Sequence, residues 1–231
     1  MSKPSNWVRT VVGLLVLVVL AAPLTLVVSI YGTRMGLFDM ATGYGRIGLG
    51  IVPMLSWISL GAGVLACLLI LRNRSVWPLA VGGLLVSAIM VGGVLYQTRN
   101  LGDAPRDVTT NVEDPPVFAG RLAQDRRNNG VPEQTPQSCE GLAAVDSQMA
   151  YESVAWALDK AGVTIMGASF FRVDGWTEGF FYGVQHDVTV RIRPGRTDVR
   201  VSARDTLPIG DQACELARDV VAAMHEALEA K

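Results

Sequence analysis

The pattern of apolar and polar positions divides this chain near residue 96. Three long apolar segments fill the first part: Val8–Ile30, Ile47–Leu71 and Val76–Tyr96. A helix needs about 20 residues to cross the hydrocarbon of a bilayer. Inside lipid, the backbone groups of such a segment must pair with one another, which favours helix. We therefore predict three transmembrane helices, and with them a lipid bilayer as the first partner.

The first apolar segment has some features of a signal peptide. It carries Arg9 at its start and Ala21-Ala22 within it. Its apolar run nevertheless continues to Ile30, which is longer than the apolar region of a signal peptide. We expect a helix that is retained.

Basic residues near the predicted spans indicate their orientation. Four of them fall on one side of a three-span protein: Lys3, Arg9, Arg72 and Arg74. The loop on the other side carries Arg34 and Arg46, offset by Asp39. Because basic loops stay in the cytoplasm, this excess predicts an N-terminus inside and Lys231 outside. The predicted location is the cytoplasmic (inner) membrane of a bacterial cell.

The second part of the chain has the periodicities of an α+β fold. Helical and strand patterns follow one another: a helix near Ala150–Ala161, strands at Val163–Phe171, Trp176–Tyr182, His186–Arg193 and Asp198–Arg204, and a helix at about Gly210–Ala230. A turn is predicted within this run at Asp174-Gly175, and a loop at Pro194–Thr197. The order predicts an antiparallel sheet of about four strands packed by two helices.

The last two predicted strands form a hairpin with two different faces. One face is apolar: Val188, Val190, Ile192, Val199 and Val201. The other carries Arg191, Arg193, Arg200 and Arg204. Since side chains alternate across a strand, we expect the helices to cover the valines and the arginines to face water, the linker or the membrane surface.

These patterns predict three regions. Residues 1–96 form the membrane domain, and residues 138–231 form an α+β extracytoplasmic domain. Residues 97–137 between them contain Pro105 and Pro115-Pro116. We interpret this stretch as a linker with an extended segment that lies against the domain.

Charge and motifs limit the classes of function. Residues 97–231 contain 14 basic and 20 acidic side chains. This excess of acid argues against nucleic acid as a partner. Gly43–Gly48 matches G-x-G-x-x-G, but no strand precedes it, so a dinucleotide is not expected. With two histidines and no metal-ligand spacing, we expect neither a metal nor another cofactor.

The cysteines divide between the two parts. Cys67 lies in the second predicted span, whereas Cys139 and Cys214 lie in the extracytoplasmic domain. An oxidising compartment permits these two to form a disulfide. The alternative is that Cys139 and Cys214 are two small residues that do not pair.

Two stretches resemble the family called domain of unknown function 1499, in its membrane-embedded form. The first is the loop Gly32–Asp39 with Thr42-Gly43-Tyr44. The second begins with Asp107–Thr110 and Glu113–Phe118 and continues with the hairpin Asp187–Pro194 and Asp198–Arg204. The turn at Ser202–Asp211 lacks the family's Asp-Leu-Gly-x-Asn pattern. The resemblance implies architecture and location, since the family has no established activity to carry over.

Three groups of residues are candidates for a site. The four arginines of the hairpin are placed to bind an anion, or else to pair with acids on a solvated face. Trp176, Phe180 and Tyr182 are expected on one strand face, as core or as a shallow pocket for a lipid or glycan. His186-Asp187 is either a strand-start pair or the acid and base of a hydrolase.

We therefore expect a binding or accessory module of the cell envelope, with an anionic lipid or polymer as its ligand. The alternative is an envelope hydrolase that uses His186 and Asp187. Small residues at helical spacing also mark the spans, among them Ser59, Gly63 and Gly83. They serve packing within the chain or a homodimer.

Overall fold

The computed structural model describes residues 6–102 and 104–230. The chain forms two compact units, Met1–Asn100 and Leu101–Lys231, and each is described by itself. Lys3 and Lys231, to which the predicted orientation refers, lie outside the described residues.

The first unit confirms the three predicted membrane spans. Its described residues hold three helical segments long and apolar enough to cross a membrane: Asn6–Arg34, Ala41–Leu71 and Arg74–Arg99. Their elements are α1 (Asn6–Arg34), a π-helix (Ala41–Ile51), α2 (Val52–Leu68), two 3₁₀ turns (Leu69–Leu71 and Arg74–Val76) and α3 (Trp77–Asn100).

The second span starts earlier than the predicted Ile47, because the stretch expected to be loop forms the π-helix. The carboxylate of Asp39 accepts a hydrogen bond from the Thr42 amide at 2.9 Å and so holds the start of this helix. Ser29 Oγ on α1 donates to the Gly43 carbonyl at 2.6 Å. A Cβ on Gly43 would overlap the Thr33 side chain. The glycine therefore permits the close approach, and the G-x-G-x-x-G pattern belongs to a helix.

Small residues of the spans lie between helices of this chain. A Cβ on Gly63 of α2 would lie 2.8 Å from Ser87 Oγ and 3.1 Å from Leu84 Cα on α3. A Cβ on Gly83 would contact Val16 and Val19 of α1. These faces thus serve packing within the chain, and a homodimer through them remains a prediction.

The second unit is an antiparallel sheet with helices, as the α+β prediction required. The strand order is β1-β5-β4-β3-β2, so the sheet has five strands rather than about four. The strands are β1 (Asp107–Thr109), β2 (Thr164–Ser169), β3 (Arg172–Glu178), β4 (Gln185–Arg193) and β5 (Arg196–Ala203), and the helices are α4 (Gly120–Asn128), α5 (Tyr151–Lys160) and α6 (Gln212–Glu229).

The stretch 97–137, predicted as linker and extended segment, contains two of these elements. Strand β1 pairs with β5, with Val108 opposite Val201. Helix α4 was not predicted, because only Leu122 and Arg126 in it are buried and its apolar period is too weak to recognise.

The predicted hairpin is present, with Val188 opposite Val201 and Thr189 opposite Arg200. Its turn is shorter than predicted, since Arg196 and Thr197 belong to β5. The Thr197 amide and carbonyl bond the backbone of Val145 at 2.8 and 3.1 Å, which holds this residue in extended structure. Gly195 takes the positive φ of 72° in the turn.

Strand β3 differs most from the prediction. It ends at Glu178, and the turn expected at Asp174-Gly175 is in its middle. Gly175 is needed there for close strand packing, since a Cβ would lie 2.6 Å from a Val163 methyl and 2.7 Å from the Thr164 carbonyl oxygen. Residues Phe180–Tyr182 form a turn rather than strand.

The apolar face of the sheet packs against α5 and α6, as predicted. We call it the core face; its fully buried members include Val188, Val190, Val199 and Val201. They pack with buried helix residues such as Leu158 of α5 and Met224 of α6. Cys139 and Cys214 form a disulfide at the edge of this core, with their Cα atoms 5.9 Å apart. The bond joins the loop after Gln137 to the first turn of α6.

Candidate functional site: an arginine–aspartate face

The face of the sheet opposite the core, which we call the covered face, meets the stretch predicted as linker rather than open water. Residues 111–118 and helix α4 lie over it, and Asp187, Thr189, Asp198 and Ser202 on this face are buried. The extended Pro115-Pro116 segment brings its carbonyls and Phe118 onto the arginines, so a layer of chain replaces water.

Asp187 lies on the covered face near the start of β4 and is fully buried. Its Oδ2 accepts from Arg126 Nη1 at 2.6 Å. Its Oδ1 accepts from Arg204 Nε and Nη2 at 2.9 and 2.7 Å. Arg204 also lies 2.8 Å from Asp125. Burial disfavours the charged guanidinium, but the bonds to Asp187 outweigh it and raise the pKa of Arg204.

Phe118 is held between two guanidiniums. The Cζ of Arg126 lies 4.3 Å from its ring centre, and that of Arg200 lies 4.8 Å away. Arg200 also forms a bidentate pair with Asp107 of β1, with both bonds 2.8 Å long. These cation–π contacts and ion pairs fasten the covering layer to the sheet.

A second cluster lies at the hairpin end of the sheet, the end with the Pro194-Gly195 turn. Arg191, Arg193 and Arg196 all bond the buried Asp198, at 3.1, 2.7 and 2.7 Å. Burial raises the pKa of Asp198, but the hydrogen bonds from Arg196 and Arg191 outweigh it, so the net shift is downward.

Asp114 of the covering segment completes the cluster from the outside. Its carboxylate bridges Arg191 at 3.2 Å and Arg193 at 2.8 Å, while 62% of its side chain stays exposed. The hydrogen bond from Arg191 is the largest cause that lowers the pKa of Asp114. This carboxylate occupies the position in which an outside anion would meet the two guanidiniums.

The four predicted arginines therefore do not form an open clamp. Arg200 and Arg204 are enclosed in ion pairs, with 13% and 12% of their side chains exposed. Arg191 and Arg193 are more accessible but are bonded to Asp114 and Asp198. The alternative of arginines paired with acids describes this geometry, and the partners are aspartates.

Part of this network was recognisable in the sequence. Asp187 and Asp198 have the same strand parity as the arginines, and that parity alone places them on the covered face. Arg126, Asp114 and Phe118 were not predicted as site residues. They contact the sheet only because the covering segment folds over it, and that segment has no clear strand or helix periodicity.

His186 and Asp187 are not brought together. Successive residues of a strand point to opposite faces, so His186 is buried on the core side. Burial lowers the pKa of His186 to about 4. Both oxygens of Asp187 bind arginine. The histidine is therefore neutral near pH 7, and Asp187 does not orient it as the acid of a hydrolase would orient a base.

The three predicted aromatic residues do not share a strand face. Trp176 is half-buried on the covered face, opposite Asp187. Phe180 and Tyr182 lie in the following turn, and 85% of Phe180 is exposed. The rings of Phe180 and Phe181 pack edge to face, with centroids 5.3 Å apart. Phe180 is therefore not a core residue.

Two further features bear on ligands. Among residues 6–102 and 104–230, no group of three or more His, Cys, Asp or Glu side chains could hold a metal ion. A cleft of about 480 Å³ is lined by residues that include Arg106, Asp107, Gln134 and Thr206. The one buried carboxylate among these, that of Asp107, is already bonded to Arg200.

No protein-family model, no curated protein and no solved structure matches this chain. The resemblance to domain of unknown function 1499 therefore stays an expectation based on the residues quoted for it.

Proposed function

We propose that this protein lies in the cytoplasmic (inner) membrane of a bacterial cell, with its N-terminus inside. Its second unit lies on the extracytoplasmic side and serves as a binding or accessory module of the cell envelope. The Cys139–Cys214 disulfide supports this side, because disulfides persist in oxidising compartments. Arg72 and Arg74 in the turn between the last two spans support the orientation. The proposed side and the proposed orientation both agree with the resemblance to domain of unknown function 1499.

The ligand class is a polymer that carries carboxylate or phosphate groups, bound at the hairpin end. The observation that carries this proposal is the Asp114 carboxylate, which bridges Arg191 and Arg193 from the solvent side. An exposed ion pair contributes little to stability, so a multivalent anion competes with it at low energetic cost. Arginine suits this role because its planar guanidinium binds carboxylate and phosphate in a bidentate manner.

The test compares Asp114→Asn with Asp159→Asn in the full-length protein in nanodiscs. Both substitutions remove one negative charge, but Asp159 lies exposed on α5, away from the arginines. The probes are polyphosphate, polygalacturonate and vesicles of phosphatidylglycerol. We expect Asp114→Asn to tighten polyanion binding by about tenfold, a change of about 1.4 kcal/mol, and Asp159→Asn to leave it near the wild-type value.

A variant with Arg191→Ala and Arg193→Ala tests the same cluster from the other side, and we expect it to lose this binding. Equal effects of Asp114→Asn and Asp159→Asn would show that net charge alone determines polyanion binding, and would contradict the proposal. Binding of vesicles alone would identify a lipid as the anion instead of a polymer.

A further inference from the structure

One end of the membrane unit gathers arginine residues. Helix α1 carries Arg9 in its first turn, and the turn between α2 and α3 carries Arg72 and Arg74. Arg9 Nε and Nη2 donate to Ser75 Oγ in this turn at 3.4 and 3.3 Å, which brings the two elements together. All three arginines are exposed. We call these arginines, together with Asn73 and Ser75, the basic end.

The basic end has no carboxylate nearby to balance its charge. The one Asp or Glu in sequence positions 1–102 is Asp39, which follows the far end of α1. From Arg9 to Arg34 this helix rises by roughly 38 Å. Within residues 6–102 and 104–230, the one side-chain bond of the three arginines is that of Arg9 to the neutral Ser75 hydroxyl. The hairpin arginines of the second unit differ, because each of them binds an aspartate.

Asn73 adds a hydrogen-bond donor to the basic end. Its Oδ1 accepts from the Ser75 amide and hydroxyl at 3.1 and 2.8 Å, which fixes the side chain. Its Nδ2 is buried and has no hydrogen-bond partner among the residues that the structure describes. A buried donor without a partner is unfavourable, and an acceptor oxygen from outside the chain would relieve this cost. The basic end thus offers three guanidiniums and one amide to an anion.

Two tryptophans indicate the depth of the basic end in the bilayer. Trp7 lies in the first turn of α1, and Trp77 is the first residue of α3. Their side chains are exposed, and tryptophan is favoured at the boundary between headgroups and acyl chains. Trp7 is two residues from Arg9, and Trp77 is three residues from Arg74. The guanidiniums therefore lie at about the depth of the lipid phosphate groups.

We infer that the basic end binds the phosphate group of an anionic phospholipid, in whichever leaflet receives this end of the unit. Guanidinium binds phosphate through paired hydrogen bonds, and basic clusters at the ends of membrane helices suit anionic headgroups. The acyl chains of this lipid contact exposed apolar side chains next to the arginines, such as Leu71 and Leu79. The inference goes beyond the proposed function, since it concerns the membrane unit and does not involve the Asp114 cluster.

Native mass spectrometry of the full-length protein, purified in dodecyl maltoside, measures this binding. The probes are phosphatidylglycerol, phosphatidylcholine with the same acyl chains, and inorganic phosphate as a competitor. We expect phosphatidylglycerol to bind roughly tenfold more tightly than phosphatidylcholine, because no cation in its headgroup offsets the phosphate charge. Inorganic phosphate should not displace it, since the free anion lacks the apolar contact of the acyl chains.

A matched pair of double variants tests the position of the site. Arg72→Gln with Arg74→Gln removes two charges from the basic end. Arg46→Gln with Arg99→Gln removes two exposed arginines from the far ends of the second and third spans. We expect the first variant to weaken phosphatidylglycerol binding about 30-fold, and the second to leave it near the wild-type value. Arg72→Lys with Arg74→Lys should retain most of the binding, because an ammonium group also binds phosphate.

Three results would overturn the inference. Equal binding of phosphatidylglycerol and phosphatidylcholine would show that apolar contact alone holds the lipid. Equal weakening by the two glutamine double variants would assign the binding to the total charge of the protein. Displacement of phosphatidylglycerol by inorganic phosphate would identify the free anion, rather than a lipid, as the ligand.

Discussion

Arg126 Nη1 lies 2.6 Å from Asp187 Oδ2 and joins helix α4 to the first part of strand β4. The two residues are 61 positions apart in the sequence. The aspartate is fully buried, and 10% of the arginine side chain is exposed. Because Arg204 binds the other oxygen of Asp187, one carboxylate holds the covering layer and the hairpin together.

Substitution of Asp187 by Asn is expected to destabilise the second unit strongly. It leaves Arg126 and Arg204 partly buried without their shared negative charge, and loss of one partner from a buried pair costs about 3–5 kcal/mol. Thermal unfolding of the purified protein in detergent measures the loss, and faster tryptic cleavage after Arg127 reports the release of α4. Asp159→Asn, at an exposed position of α5, is the matched control. Equal melting of the two variants would contradict a central role for Asp187.

The disulfide is expected to be present in cells and to stabilise the second unit. Its two cysteines are 75 residues apart, and the chain-entropy model assigns a bridge over such a loop about 4 kcal/mol. Alkylation of intact cells, followed by reduction and a second reagent, should mark Cys139 and Cys214 only after reduction. Cys67→Ser is the control. Free thiols at 139 and 214 in fresh cells would argue for a reducing compartment and against the proposed orientation.

His186 is expected to make stability depend on pH between about 4 and 6.5. Its pKa falls from 6.5 in the unfolded chain to about 4 in the folded protein. In this window the unfolded state binds the proton and the folded state does not, so stability is lost as the pH falls. The full effect is on the order of 3 kcal/mol. The change in Tm between pH 6.5 and 4.5 should shrink in His186→Leu. An unchanged slope would assign the effect to other groups.

A substitution in the membrane unit is expected to separate α2 from α3. In Gly63→Ala the new methyl would meet Leu84 Cα at 3.1 Å, so the α2–α3 contact must open by a few tenths of an ångström. Gly61→Ala is the control, since nothing lies within 4 Å of its added Cβ. Thermal inactivation of the fold in detergent should occur at lower temperature for Gly63→Ala only. Equal behaviour of the two variants would place the α2–α3 contact elsewhere.

The sequence by itself determined the elements whose periods are strong. Three long apolar runs, in which Arg9 is the single charged side chain, admit little but membrane helices, because lipid offers the backbone no partners. Alternation in β4 and β5 fixed which residues share a face, since a strand has a period of two. The same alternation placed Asp187 and Asp198 among the arginines, although it did not reveal what covers them.

Only the tertiary structure decided which part of the chain packs on that face. The covering segment around Asp114 and Phe118 has no period, and its position depends on contacts with residues some 80 positions later in the chain. The sequence predicted a turn at Asp174-Gly175, yet Gly175 lies in the middle of a strand, where its lack of a side chain permits close strand packing. Strand β1 belongs to the sheet only because it pairs with β5, where Asp107 lies opposite Ser202. Each of these features depends on contacts distant in sequence, and short-range patterns carry no signal of them.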